Sequence, residues 1–113
     1  MTLLNAGQLD REIVLQRGTF TQSASGQETI DWDSAERVRV WAQWLPADTR
    51  ESWQAQRRFG AYIDGVYQIY FREEPRPDTT RIIGHDGRIY DLKGAMEIGR
   101  MQGWLLAVVA RAE

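Results

Sequence analysis

Cysteine is missing altogether from the 113 residues. That removes disulfides, thiolate metal sites and a cysteine nucleophile, and it fits a reducing compartment. Histidine occurs once, as His85, so no second imidazole is at hand to complete a metal site. Charge of one sign is also lacking: 14 basic against 16 acidic residues leave a net −2. A domain whose main task is gripping phosphate backbone usually carries a strong positive excess. There is no long apolar run. The longest, residues 104–110, is far too short to span a bilayer. The opening Met1-Thr2-Leu3-Leu4 lacks the basic start and apolar run of a signal peptide, so the expectation is a soluble protein made and kept in a cytoplasm.

Reaction motifs are scarce as well. The chain has no phosphate-cradling or dinucleotide glycine pattern, and no serine sits in a nucleophile elbow. Glu73 and Glu74 are adjacent, and neighbours along a strand point to opposite faces. Asp31 and Asp33 lie two apart, but nothing nearby would desolvate them, so they read as solvated loop acids. No internal repeat or low-complexity tract is visible. Cofactors and catalytic residues are not expected.

What is present is a globular composition, 42% hydrophobic, with five tryptophans. One domain spanning 1–113 is the natural expectation for this length. Tryptophans so frequent in a small chain suit interfaces as well as cores.

The clearest local signal is Arg81-Ile82-Ile83-Gly84-His85-Asp86-Gly87-Arg88-Ile89-Tyr90-Asp91-Leu92. Two β-prone runs flank Asp-Gly, which suits a two-residue type I′ turn. That loop would place Ile83 opposite Tyr90 and Arg81 opposite Leu92. Alternation marks further strands. In residues 11–17, Ile13 and Leu15 share a face. In 36–44, Val38, Val40, Ala42 and Trp44 share one face, and Arg37, Arg39, Trp41 and Gln43 the other. In 65–72, Tyr67, Ile69 and Phe71 alternate with Val66, Gln68 and Tyr70. Residues 104–111 are apolar on both sides, the mark of a well-covered strand. Residues 18–28 are rich in Gly, Ser, Thr and Gln and read as a loop or an extended hairpin tip, with a short edge piece near 29–33. The expected core is Ile13, Leu15, Val38, Val40, Ile69, Phe71, Ile83, Tyr90, Leu92, Leu106 and Val108.

Residues 47–64 interrupt this β pattern. Asp48 with Glu51 three residues on has capping-box spacing, and Gly60 is a fitting helix end. A short helix of about three turns is expected. Its apolar content is thin, Trp53, Ala55 and Phe59, so it should bury little against the core. An insertion of that kind is usually functional. Arg50, Arg57 and Arg58 make it locally basic. Trp53 and Phe59 are six apart and do not share one helical face, so one contact to the barrel and one to a neighbour is the expected division. Trp41, apolar among polar neighbours, suggests either a covered outer face or a ring folded over its own sheet. Together the elements predict a mostly β protein: a small antiparallel β-barrel or sandwich of about six strands, with one long loop carrying a short helix.

In wording and order the chain resembles the bacteriophage head–tail joining family, the small stopper or head-completion proteins of tailed phages and phage-like particles. The likeness begins with Ala6-Gly7-Gln8-Leu9-Asp10-Arg11 leading into Ile13-Val14-Leu15-Gln16-Arg17. It continues through Gly26, Trp32-Asp33, Val38-Arg39-Val40-Trp41-Ala42, Leu45-Pro46, Arg50-Glu51 and Ala55. It ends with Tyr67-Gln68-Ile69-Tyr70-Phe71-Arg72, Arg81-Ile82-Ile83 and Asp86-Gly87-Arg88-Ile89-Tyr90-Asp91-Leu92. The resemblance implies a non-enzymatic virion protein, assembled in the host cytoplasm as a homo-oligomeric ring. Its partners would be the portal/adaptor protein, the tail-terminator protein and, without sequence reading, packaged DNA; no membrane is implied. Arg50, Arg57 and Arg58 would then face channel and DNA, while Trp41, Trp53 and Phe59 would meet neighbouring subunits. A different class remains open: a monomeric SH3-like or OB-like module for peptide or nucleic acid, with Trp41 and Tyr70 as a stacking platform.

Overall fold

The computed structural model describes residues 9–22, 24–60, 62–71, 73–98 and 103–111. In chain order the elements are β1 (Arg11–Arg17), β2 (Phe20–Gln22), β3 (Glu28–Ile30), β4 (Glu36–Pro46), α1 (Arg50–Phe59), β5 (Gly65–Ile69), β6 (Thr80–Ile83), β7 (Ile89–Ile98) and β8 (Gly103–Ala110). Six strands close an antiparallel barrel in the order β1-β4-β5-β8-β7-β6, and β2 with β3 forms a separate two-stranded sheet. The sequence also suggests a short lead-in or helical turn over Leu3 to Asp10 and a turn or short loop over Gly99 to Gly103; apart from Leu9, Asp10 and Gly103 these lie outside the described residues, as do Arg72 and Ala61.

The barrel interior follows from strand alternation. Ile13, Leu15, Ala42, Tyr67, Ile69, Ile82, Tyr90, Leu92, Leu106 and Val108 form one buried cluster. Val38, Val40, Trp44, Phe71 and Trp104 pack partly buried against it. Each large aliphatic side chain taken fully from water contributes about 1.5–3 kcal/mol, which is why the closed cylinder is the stable arrangement.

The β6–β7 turn departs from expectation by one residue. Gly84 N–H donates to Arg88 O (2.9 Å) and Gly87 N–H to Gly84 O (3.0 Å), with Gly87 at φ 81°. This is a three-residue loop, a type I turn followed by a left-handed residue. Ile82 therefore faces Tyr90, and Ile83 faces Ile89. Ile82, not Ile83, enters the core. The side chain of Asp86 favours the longer loop, because its Oδ1 accepts the N–H of Arg88, two residues on, at 3.1 Å.

The insertion is also better anchored than its composition suggests. Thr49, not Asp48, caps the helix, its Oγ1 accepting Ser52 N–H at 3.3 Å. Pro46 sets this up, since its carbonyl receives both the N–H (3.0 Å) and the hydroxyl (2.6 Å) of Thr49. Buried Ser52 donates its hydroxyl to Leu45 O at 3.0 Å. Ala55, Ile63, Val66 and Ala107 then form a second buried cluster outside the barrel, flanked by Leu45, Phe59, Met96, Leu105 and Val109. The segment closes with Asp64, whose N–H donates to Val108 O (2.8 Å) and whose Oδ2 accepts Ala110 N–H (2.6 Å). The expectation that residues 47–64 bury little is thus corrected. The apolar partners come from the outward faces of β4, β5, β7 and β8 and from Ile63 beyond the helix, so the helix needs few of its own.

Gly94 makes the fit possible. β7 bulges at Lys93, between the pairs Leu92–Val108 and Gly94–Ala107. A Cβ at position 94 would collide with the ring of Phe59.

Candidate interaction surfaces

α1 divides cleanly. Ser52, Ala55 and Phe59, at spacings of three and four, face the barrel. Arg50, Trp53 and Arg57, at the same spacing, form the outward stripe; Trp53 is 59% exposed. The Arg57 guanidinium lies 5.2 Å from the Trp53 ring centroid, and Arg58 lies 6.0 Å from that of Phe59. The two basic residues of the last turn also suit the negative end of the helix dipole. Of the expected residues, the structure brings Arg50, Arg57, Arg58 and Trp53 together on one exposed helix, with Phe59 turned inward.

Trp41 stands elsewhere, on the outward face of β4 and 57% exposed. Its partner in register is Glu12 of β1. With Leu9, Arg39, Val40 and Tyr70 it lines an open cleft of about 530 Å³. Trp41 and Tyr70 thus share one site, while Trp41 and Trp53 belong to different surfaces.

His85 sits at the barrel mouth. The Tyr67 hydroxyl accepts the backbone N–H of His85 (3.3 Å) and lies within hydrogen-bond distance, 2.8 Å, of its Nδ1. Tyr90 donates its hydroxyl to Asp86 Oδ2 at 2.9 Å, and the Trp44 ring lies against Tyr67, Tyr90 and His85. Burial pushes the Tyr67 phenol well up. Burial, followed by the Asp86 carboxylate, pushes Tyr90 up to about 12. Desolvation pushes Asp86 up as well, yet the N–H of Arg88 and the hydroxyl of Tyr90 outweigh it and hold Asp86 below its ordinary value. The cluster ties the β6–β7 turn to the core. Asp31 has a local task too, capping a 3-10 turn at Trp32–Ser34 by accepting Asp33 N–H at 3.1 Å.

Of the two readings of residues 18–28, a loop or an extended hairpin tip, the structure gives the hairpin, with the edge piece near 29–33 supplying β3 at Glu28–Ile30. Phe20, Thr21, Gln22, Glu28 and Thr29 are exposed, and Ile30 is half-buried at the base. The alternating Phe20-Thr21-Gln22 and Glu28-Thr29-Ile30 around Gly26, whose φ is 85°, were the available signal. The ribbon and the insertion leave opposite ends of the barrel, since one joins the end of β1 to the start of β4 and the other joins the end of β4 to the start of β5.

The fold is a small closed barrel displaying a basic aromatic helix at one end and an exposed ribbon at the other. The chain belongs to the phage head completion protein family, which matches residues 4–111. Its role is structural, in phage head assembly, and it is a virion component that works with other head or tail proteins. Among solved structures it is similar to protein SF1141 from Shigella flexneri 2a, known in solution. That likeness has 21% identity and a TM-score of 0.59, and it covers 97% of this chain and 99% of that one, which speaks to the fold. Comparison with curated proteins finds no significant match. Among the described residues no helix is long and apolar enough to cross a membrane.

Proposed function

We propose that the protein is a ring-forming stopper subunit that joins the portal/adaptor to the tail-terminator and retains packaged DNA, with residues 47–64 as its functional insertion. The observation that carries this reading is the Arg50–Trp53–Arg57 stripe on a helix whose other face is fixed to the barrel. A fixed helix presents its charges at a constant place in every copy. One subunit offers only Arg50, Arg57 and Arg58 to phosphate, so contact with DNA is weak, salt-sensitive and blind to sequence, and it gains strength from the copies of a ring acting together. Trp53 and Trp41 supply apolar contacts to neighbouring subunits or head proteins.

The test is electron microscopy of particles carrying the wild-type chain or the triple variant R50A/R57A/R58A. The expected result is a ring at the head–tail joint in both, with heads of the variant losing DNA. Full heads with the variant overturn the arginine assignment; a joint without a ring overturns the stopper reading. The Trp41–Tyr70 cleft favours one other reading, a monomeric SH3-like or OB-like module, and stoichiometric binding of a peptide or oligonucleotide by the isolated monomer would support it.

A further inference from the structure

We propose that the β2–β3 ribbon is an intersubunit arm that pairs edge to edge with the ribbon of a second copy, β3 of one chain against β2 of the next. The inference rests on the ring reading above.

Three observations carry it. Each ribbon strand has one neighbour in its sheet, so both outer edges offer backbone groups to another strand. Those edges are unguarded: residues 19–30 include one charged side chain, Glu28, and no lysine, arginine or proline, in a chain that is 27% charged. Natural edge strands that must stay single usually carry such guards. The base, in contrast, is held firmly. Gly18 N–H donates to Thr79 O at 2.8 Å, and Arg17 bridges Glu36 and Glu73 at 2.8 and 2.6 Å. The Arg81 guanidinium stacks 4.5 Å from the Trp32 ring centroid while its Nε donates to Gln16 Oε1 at 2.5 Å. An aimed arm with a bare shaft is pre-organised for docking.

Symmetry and register select the occupant. Copies related by rotation about a ring axis hold their ribbons in the same orientation. The ascending β2 of one then lies beside the descending β3 of its neighbour, which is an antiparallel pairing. Repeated around the ring, it uses both edges of every ribbon and closes on itself. The facing residues can repeat the pairs already made within one ribbon, Phe20–Ile30, Thr21–Thr29 and Gln22–Glu28. None of these sets like charges against each other. A three-residue edge binds weakly alone, so the pairing is made by closure of the ring.

The test uses the absence of native cysteine. Chains bearing T21C or T29C are incorporated into particles separately and as a mixture, and the particles are oxidised gently. The expected result is disulfide-linked dimers several-fold more abundant in the mixture than with either variant alone. Rings visible by microscopy without that excess overturn the arm while leaving the ring intact. Strong linkage with T21C alone, which signals two-fold β2–β2 pairing, or linkage of either variant to a different head or tail protein also overturns it. If the wild-type chain forms no ring, both readings fall together.

Discussion

The two excursions from the barrel are opposites. The 47–64 insertion has few apolar residues of its own yet lies against a buried cluster of Ala55, Ile63, Val66 and Ala107. The β2–β3 ribbon has β-prone residues and a good turn yet stays exposed, with Ile30 alone half-buried at its base. Local preference therefore does not decide which excursion is anchored. What decides is whether the barrel wall beside it presents an apolar face, as β4, β5, β7 and β8 do under the helix. The first belongs to the stability of the fold, and the second is free to belong to an assembly.

That contrast breaks most directly at Ile63. I63A should destabilise the monomer by about 2–5 kcal/mol in urea unfolding, as much as L106A inside the barrel. A loss below about 1 kcal/mol would show that the insertion only rests on the wall, and a Gly-Ser replacement of 47–64 would then leave the barrel intact. Next in size is the cap. T49A should cost roughly 1 kcal/mol, read as a lower melting temperature, whereas D48A should leave it nearly unchanged; the reverse would restore Asp48 as cap. Smaller still is the ribbon: replacing residues 20–30 by a short turn should change monomer stability by no more than about 0.5 kcal/mol, and a larger loss would make the ribbon part of the fold.

The smallest effect concerns the turn cluster. Asp86 is held below its ordinary value in the folded chain. It therefore contributes stability above about pH 4, and that contribution is lost as pH falls through the lower folded value. D86N should lose stability at neutral pH, and the gap to wild type should narrow under acid. Tyr90 has the opposite sense: raised to about 12, it stabilises below the ordinary tyrosine value near 10, and that increment fades as pH climbs toward the folded one. Identical acid profiles for D86N and wild type would remove Asp86 from the account.

Much of this was legible in the sequence, and the misses have physical causes. Alternation placed Ile13, Leu15, Ile69, Tyr90, Leu92, Leu106 and Val108 in the core, where they lie, with Val38, Val40 and Phe71 half-buried against it. Asp86-Gly87 marked the turn but not its length, because the side-chain bond to Arg88 that favours a third loop residue depends on geometry. The one-residue slip then exchanged Ile82 for Ile83. Thr49 outcompeted Asp48 because the chain turns at Pro46, which periodicity does not encode. The helix seat was signalled by the second apolar face of residues 104–111 and by an isolated glycine in a strand, Gly94, cues for a covered wall and a close approach that name no partner. Of the candidate surface residues, the arginines, Trp41 and Trp53 are exposed and Trp41 shares a cleft with Tyr70, whereas Phe59 turns inward over Gly94, a seat the sequence does not name.

The gap at Gly94 has a mechanical consequence. Phe59 rests where a side chain is missing, and one pleat along β7 the next outward position is Met96, a full side chain. The helix therefore sits in a detent. Sliding along β7 would bring the ring against Met96, so steric fit, and not the helix's own hydrogen bonds, resists displacement along the wall.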